Sequence, residues 1–200
     1  MKTTIPLHRI KKVAVLGSGV MGSAIACHLA QCGSEVMLLD LPSEDGPSDG
    51  VAAGHLDNAL KSKPSPIYSK RFAARIETGN FDDDLPRIAD CDWIIEAIVE
   101  RLDIKNQLFE RVEQHRKPGT FITSNTSGIP MAVLTQGRSE DFRKHFCGTH
   151  FFNPPRYLQL LEIIPGPDTL SEVLDFFVAY GEQILGKESV ICKDTPAFIA

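Results

Sequence analysis

The stretch VAVLGSGVMG, residues 13–22, decides the fold of this chain. Its first four residues form the short, apolar run that is typical of a parallel strand buried on both faces. Gly17, Gly19 and Gly22 follow at once in the pattern GxGxxG, and the apolar spacing after them indicates a helix. The pattern alone is weak evidence, but between a buried strand and a helix it predicts a turn that binds the pyrophosphate of a dinucleotide.

Each glycine of this turn has a physical reason to be glycine. Gly17 permits a tight turn, Gly19 lets the backbone approach a pyrophosphate, and Gly22 lets the helix and the strand pack closely. The start of the helix adds unpaired N–H groups and the positive end of the helix dipole. We therefore expect the whole turn to contact a cofactor, including the residues between the glycines: Ser18, Val20 and Met21.

Asp40 ends the second predicted strand, 18 residues (40 − 22) beyond Gly22. A carboxylate about 20 residues after the glycine pattern accepts hydrogen bonds from the adenosine ribose hydroxyls. It also repels the extra phosphate of NADP, and Leu41 rather than an arginine follows it. These residues predict NAD as the cofactor. The alternatives are a glycine turn without a ligand and FAD, although nothing downstream is typical of a flavoprotein.

Strands and helices alternate along the rest of the chain. The alternation predicts an α/β fold with a Rossmann, doubly wound, mainly parallel sheet and flanking helices. Helices are predicted, among others, at 51–61 and 67–78. With no internal repeat or linker, residues 1–200 read as one NAD-binding domain. Residues 194–200 are typical of the first turn of another helix, so we expect a C-terminal helical domain, for substrate binding and dimerisation, that is missing from this chain.

The composition is that of a soluble globular protein, with 42% hydrophobic and 24% charged residues. A net charge of −5 argues against nucleic acid as a main partner. No stretch approaches the ~18 apolar residues of a membrane span, and the N-terminus lacks the apolar segment of a signal peptide. The five cysteines show no CxxC spacing and indicate reduced thiols rather than disulfides or a metal site. We therefore expect a cytoplasmic protein without a bound metal.

Polar residues follow several predicted strands at their carboxyl ends, where open α/β sheets bind ligands. They belong to the segments EAIVE (96–100), SNTS (124–127) and HFFNP (150–154). His150 has a carboxylate 12 residues later (162 − 150), at Glu162, a spacing that fits a strand, a turn and a return strand. A histidine suits proton transfer near neutral pH, but this spacing leaves a purely structural histidine as the alternative.

Together these segments resemble the family of 3-hydroxyacyl-CoA dehydrogenases. The resemblance runs from about residue 12 to residue 200 and includes the closing segment CKDTPAFI (192–199). It is most similar to the bacterial multifunctional fatty-acid oxidation enzymes that begin with this domain. The resemblance implies NAD-dependent oxidation of L-3-hydroxyacyl-CoA to 3-ketoacyl-CoA in fatty-acid β-oxidation. It also implies an acyl-CoA partner and a homo-oligomer in the intact protein.

The same resemblance implies roles for individual residues. His150 would be the general base, Glu162 would orient and stabilise its imidazole, and Ser127 would hydrogen-bond the reacting oxygen. The nicotinamide and its ribose would be lined by Ala97, Glu100, Lys105, Ser127 and Asn153.

Simpler interpretations exist for several of these residues. Ser127 would also suit the cap of a predicted helix at 129–135. Glu100 could be a solvated acidic residue at the start of a helix, and Lys105 could lie on the surface. Lys61 and Lys63 suit either a CoA phosphate or a solvated helix face. The remaining histidines, among them His8, His55 and His115, are predicted to be structural or exposed.

Two departures from the family pattern limit the expected activity. The family has a catalytic asparagine shortly after the position of Ala200, and its helical second domain closes over the acyl-CoA. We therefore expect this chain to bind NAD but to turn over poorly. A dehydrogenase of another short hydroxy acid would explain the glycine turn but not HFFNP and Glu162. A nucleotide-binding domain without catalysis is the remaining alternative.

Overall fold

Eight strands join into a single sheet in the computed structural model, which describes residues 5–195. Their order across the sheet is β3-β2-β1-β4-β5-β6-β7-β8, and every pairing is parallel except β6 with β7. This arrangement confirms the predicted Rossmann sheet. The strands are β1 (Lys12–Leu16), β2 (Glu35–Asp40), β3 (Ile76–Asn80), β4 (Trp93–Glu96), β5 (Phe121–Ser124), β6 (Phe146–Phe151), β7 (Leu160–Pro165) and β8 (Glu188–Ile191).

Helices cover both faces of this sheet. They are α1 (Val20–Gln31), α2 (Gly50–Lys61), α3 (Leu102–His115), α4 (Met131–Leu134), α5 (Glu140–Lys144) and α6 (Ser171–Gln183). Short 3-10 turns lie at Leu7–Arg9, Lys70–Arg75 and Leu85–Asp90. None of the helices between residues 5 and 195 has both the length and the apolar character that crossing a bilayer requires.

Alternate residues of the central strands face two different helical layers. On β1, Val13 and Val15 pack into one core with residues of α1 and α6, whereas Ala14 and Leu16 pack into another core with residues of α3. The alternation follows from the two-residue period of a strand. A strand covered on both faces needs apolar residues at every position, which explains the unbroken apolar run of β1.

The predicted helix at 67–78 is wrong. The chain instead forms the 3-10 turn Lys70–Arg75 and then β3, which pairs in parallel with β2. The β-branched Ile76 and Thr78 favour an extended backbone, and the edge of β2 offers a partner for it. A Cβ on Gly79 would lie 2.5 Å from the Asp84 carboxylate and 2.8 Å from Leu39, so close packing against the next turn requires glycine there.

The end of the chain was predicted to open a helix at 194–200, of which 196–200 lie outside the described residues. Asp194 has a different role in the structure. Its two carboxylate oxygens accept hydrogen bonds from the N–H groups of Met131, at 2.8 Å, and Ala132, at 3.0 Å. Asp194 therefore supplies acceptors to the first turn of α4, whose own N-cap, Pro130, offers none.

His28 is a buried histidine of α1 that is held neutral. Its Nε2 lies 3.0 Å from the carbonyl oxygen of Leu185, and Gln31 Nε2 lies 3.1 Å from its Nδ1. Burial, followed by the charge of Lys187, lowers the pKa of His28 from 6.5 to about 4. In the unfolded chain the same imidazole takes up a proton at a higher pH, so acid favours unfolding.

We predict that His28 makes folding pH-dependent between its unfolded pKa of 6.5 and its folded pKa of about 4. The free energy of unfolding is fully retained above the unfolded pKa and falls as the pH drops towards the folded one. Between pH 7.5 and 5.0 this single group accounts for a loss of about 2 kcal/mol. His28→Gln keeps a donor for the Leu185 carbonyl and removes the titration, so its loss over the same interval is smaller by that amount.

Urea unfolding at the two pH values measures this difference. His8→Gln, at an exposed position, is the control and keeps the wild-type pH dependence. Identical pH dependence in wild type and His28→Gln would contradict the assignment.

Candidate active site

The carboxyl ends of β4, β5 and β6 meet at one edge of the sheet, beside the start of α1. They enclose a cavity of about 330 Å³. Seven of the predicted site residues line this cavity: Met21, Ala97, Glu100, Lys105, Ser127, His150 and Asn153. Residues that are up to 132 positions apart in sequence (153 − 21) therefore share one space.

His150 and Glu162 are register partners in the antiparallel pair β6–β7, so their side chains emerge on the same face. His150 Nδ1 lies 2.6 Å from Glu162 Oε2. The Glu162 side chain is fully buried, whereas that of His150 is 17% exposed at the cavity. An ionised carboxylate only accepts hydrogen bonds, so Nδ1 carries the hydrogen and Nε2 keeps its lone pair in the neutral ring. The rings of Phe152 and His150 pack in an edge-type arrangement, with centroids 4.7 Å apart.

Cys192 lies behind this pair, next to Glu162. Burial, followed by the charge of Glu162, raises the pKa of the Cys192 thiol to about 11. The group is therefore an uncharged thiol at neutral pH. Since the thiolate is the nucleophile, Cys192 is not poised for nucleophilic catalysis.

Glu100 holds the turn that carries Ser127. Its Oε1 accepts hydrogen bonds from Thr126 Oγ1 at 2.5 Å, from the Ser127 N–H at 3.0 Å and from the Gly128 N–H at 2.5 Å. The Thr126 hydroxyl, aided by the two N–H groups, keeps the pKa of Glu100 below its ordinary value. Glu100 is therefore an ionised clamp rather than an acid that only contacts solvent.

The proposed helix-cap role of Ser127 is wrong. The helix α4 begins at Met131, four residues further on, and its first N–H groups bond to Asp194. The N–H of Ser127 instead bonds to Glu100, and its side chain lines the cavity. Ser127 is thus placed by a turn between β5 and α4.

Lys105 is not a surface residue. Its side chain is 1% exposed, and Nζ lies 2.5 Å from Oε1 of Glu96, which is fully buried. The same oxygen accepts the N–H of Ile98 at 2.7 Å, and Oε2 accepts the Ser124 hydroxyl at 2.5 Å. Glu96 therefore joins the end of β4, α3 and the end of β5 below the cavity.

Sequence reasoning assigned no role to Glu96 or to Asn125. Asn125 Oδ1 accepts the Phe151 N–H at 2.8 Å and so ties the end of β5 to the end of β6. Both residues stand at the ends of apolar strands. A charged or amide side chain at such a position is the sequence feature that could have identified them as candidates. Their partners, Lys105 and Phe151, become visible only once the sheet order is known.

The glycine turn has the shape that its sequence requires. Gly17 has a positive φ of 100°, and a Cβ on Gly22 would lie 1.8 Å from the Gly17 carbonyl oxygen. A Cβ on Gly19, in contrast, meets no atom within 4 Å. Gly19 is the N-cap of α1, and no side chain caps that helix start. The turn therefore leaves open space in front of the free N–H groups of a twelve-residue helix.

Asp40 lies against this turn. Its Oδ2 accepts the Ser18 N–H at 2.6 Å and the Ser18 hydroxyl at 2.5 Å, while Oδ1 accepts the Leu41 N–H at 2.8 Å. A second cavity, of about 540 Å³, lies between α1 and α2 and is lined by Ser18, Gly19 and Val20 among others. It shares Asn153 with the first cavity, so the two cavities are neighbours.

The two lysines of uncertain role differ in their surroundings. Lys63 lines the second cavity. Lys61 is exposed and pairs with Asp57 one turn earlier on α2. Of these two lysines, only Lys61 therefore lies on a solvated helix face.

Residues 12–195 match the family model described as the NAD-binding domain of 3-hydroxyacyl-CoA dehydrogenase. A probable 3-hydroxyacyl-CoA dehydrogenase of Bacillus subtilis is 47% identical over 206 residues, which cover 96% of this chain and 26% of that protein. Another, of Deinococcus radiodurans, is 48% identical over 193 residues, which cover 96% of this chain and 56% of that protein. This chain therefore spans between 26% and 56% of the length of these relatives.

The crystal structure of 3-hydroxybutyryl-CoA dehydrogenase from Escherichia coli has the same fold. It superposes with a TM-score of 0.77 at 29% sequence identity, over 95% of this chain and 39% of that chain.

We predict that Glu96 and Lys105, which form a buried ion pair, contribute to the free energy of unfolding only when both are present. Glu96→Gln removes the carboxylate charge that is hydrogen-bonded to the buried Lys105 ammonium and lowers the free energy of unfolding by about 3–5 kcal/mol. Adding Lys105→Met removes the stranded charge and restores most of that loss. Urea unfolding of the two single variants and the double variant measures the coupling.

Asp103→Asn, which breaks the exposed pair with Arg101, is the matched control and leaves the unfolding curve nearly unchanged. Additive effects of Glu96→Gln and Lys105→Met would show that the two groups are not coupled.

Proposed function

This chain belongs to the family of 3-hydroxyacyl-CoA dehydrogenase NAD-binding domains, and we propose that it oxidises the 3-hydroxyl of L-3-hydroxyacyl-CoA, giving 3-ketoacyl-CoA as in fatty-acid β-oxidation. One observation carries the proposal: His150, which is hydrogen-bonded to Glu162, lines the same cavity as Met21 of the glycine turn. A proton acceptor thus lies beside a dinucleotide site.

The glycine turn fits NAD. Open space in front of Gly19 and the uncapped start of α1 suit a pyrophosphate, and the carboxylate of Asp40 suits the ribose hydroxyls. We assign the pyrophosphate contacts to residues 17–22 and the ribose contact to Asp40. NAD held there would supply the hydride acceptor for C3 of the substrate.

His150 takes the hydroxyl proton on Nε2 during oxidation and returns it during reduction. Glu162 fixes the ring through Nδ1 and stabilises the imidazolium that forms. Burial of Glu162 strengthens this effect, because an ion pair shielded from water interacts more strongly than an exposed one. The pair therefore lets a histidine act as a base without the carboxylate itself taking the proton.

Ser127 donates a hydrogen bond to the reacting oxygen. Glu100 sets the position of Ser127 through its hydrogen bonds to residues 126–128. Glu100, Lys105 and Asn153, with Ala97, line the space for the nicotinamide and its ribose. Because the carboxylate of Glu96 pairs with the ammonium of Lys105, the charge of Lys105 below the cavity is compensated.

An acyl-CoA thioester is the proposed partner. Lys63, which is exposed at the wall of the second cavity, suits a CoA phosphate. The proposal extends to a homo-oligomer in the cytoplasm for the intact protein.

We predict that two glycines of the same turn respond differently to alanine. Gly19→Ala folds with a free energy of unfolding within about 1 kcal/mol of wild type, since a Cβ there meets no neighbour. It weakens NADH binding at least about ten-fold, because the Cβ stands where the pyrophosphate approaches. Gly22→Ala destabilises the fold severely, because its Cβ would collide with the Gly17 carbonyl.

NADH fluorescence titration and urea unfolding measure the two effects. Gly19→Ala with wild-type NADH affinity would place the dinucleotide elsewhere.

We predict that His150→Gln lowers the rate of acetoacetyl-CoA reduction by about 10²–10⁴-fold, since a general base contributes that factor. Glu162→Gln lowers it by a similar order because the imidazolium loses its counter-charge. Both variants keep the NADH dissociation constant within about two-fold, as neither side chain belongs to the glycine turn. His115→Gln, at the end of α3, is the matched control with wild-type rate and affinity.

The rate is measured from NADH absorbance under single-turnover conditions, with the chain in excess over NADH. Reduction of free acetoacetate but not of the thioester would indicate a dehydrogenase of short hydroxy acids. Binding of NADH without reduction of either compound would indicate a nucleotide-binding domain without catalysis.

A further inference from the structure

A histidine of α2 reaches the glycine turn through a serine. His55 Nδ1 lies 2.7 Å from Ser18 Oγ, and that hydroxyl lies 2.5 Å from Asp40 Oδ2. The direct distance from His55 Nδ1 to the same carboxylate oxygen is 3.9 Å, too long for a hydrogen bond. Ser18 is fully buried between the two. His55, Ser18 and Asp40 thus form a chain of two hydrogen bonds that ends on the predicted ribose acceptor.

The chemistry of the three groups fixes the direction of both bonds. A carboxylate only accepts, so the single hydroxyl hydrogen of Ser18 goes to Asp40. Ser18 Oγ can then only accept from His55, which requires the hydrogen of the neutral imidazole to be on Nδ1. The Ser18 N–H also bonds to Asp40 Oδ2, so both donors of this serine are directed at one oxygen.

We propose that His55 is a positioning residue for the adenosine end of the dinucleotide. Its hydrogen bond locks the Ser18 hydroxyl, and through it the Asp40 carboxylate, in the arrangement that accepts the ribose. The inference rests on the proposed NAD-dependent function and adds a residue outside the glycine pattern. Because the carboxylate is ordered before the ligand arrives, binding does not bear the entropy of ordering it.

Because of its position, His55 can be substituted without disturbing the fold. Its side chain is 49% exposed and lies on the wall of the second cavity together with Gly19 and Lys63. An exposed side chain contributes little to the core, so its removal leaves the fold intact. The hydrogen bond from His55 to Ser18 is nevertheless strengthened by the bond from Ser18 to Asp40, because each hydrogen bond polarises the next.

Two substitutions separate the hydrogen bond from the bulk of the ring. His55→Ala removes the donor, and NADH binding becomes about five-fold weaker, the factor that corresponds to one hydrogen bond of about 1 kcal/mol. His55→Asn places an amide N–H where Nδ1–H was and keeps the affinity within about two-fold of wild type. His8→Ala, remote from the cavity, is the control and binds NADH as wild type does.

A double-mutant cycle tests the path through the serine. In a Ser18→Ala background, His55→Ala has no further effect on NADH affinity, because the chain is already broken. Equal affinities of His55→Ala and wild type overturn the proposal. Equal losses in His55→Ala and His55→Asn overturn it as well, since they would show that the ring and not its donor is needed.

Nitrogen-15 spectra of the imidazole, recorded on the chain without cofactor, give a readout independent of NAD. The neutral His55 ring carries its hydrogen on Nδ1 in wild type and loses that preference in Ser18→Ala. A hydrogen on Nε2 in wild type overturns the inference directly. If the wild-type protein fails to bind NADH, the proposed function fails. The tautomer of His55 still decides whether the hydrogen bonds from His55 through Ser18 to Asp40 exist.

Discussion

The antiparallel pairing of β6 with β7 is the constraint on which the site depends. The other strand pairs of this sheet are parallel, and parallel pairs bring residues together only through long crossovers. Here the chain turns back over eight residues, 152–159, and sets Glu162 directly opposite His150. A slip of the register by one residue would turn the carboxylate to the other face of the sheet and leave the imidazole without its acid.

Three carboxylates around the cavity are held by donors: those of Glu96 and Glu162, which are buried, and that of Glu100, which is exposed. Glu162 holds an imidazole, Glu96 holds an ammonium, and Glu100 holds a hydroxyl and two N–H groups. Burying such groups is tolerated only when they are paired and hydrogen-bonded. As a result, Glu162 links β7 to His150 of β6, and Glu100 holds the turn that carries Ser127.

The fold, and the grouping of seven candidate residues around one cavity, could be predicted because both depend on local patterns. A glycine turn between a strand and a helix, and polar residues at strand ends, identify one edge of a sheet without knowledge of the rest. The burial of Lys105 was not predictable, because nothing near it in sequence shows that Glu96 lies across from it. The strand β3 was mistaken for a helix because an edge strand obtains its partner from tertiary structure. The link from His55 to Ser18 spans 37 residues and follows only from the packing of α2 on the turn.

The bond between Asp194 and α4 couples two distant parts of the chain mechanically. Asp194 follows β8, whereas α4 begins four residues after Ser127. Pulling Asp194 away would strip Met131 and Ala132 of their acceptors and loosen the start of α4. The segment after β8 is therefore linked to the turn that carries Ser127 by two hydrogen bonds and a short stretch of backbone.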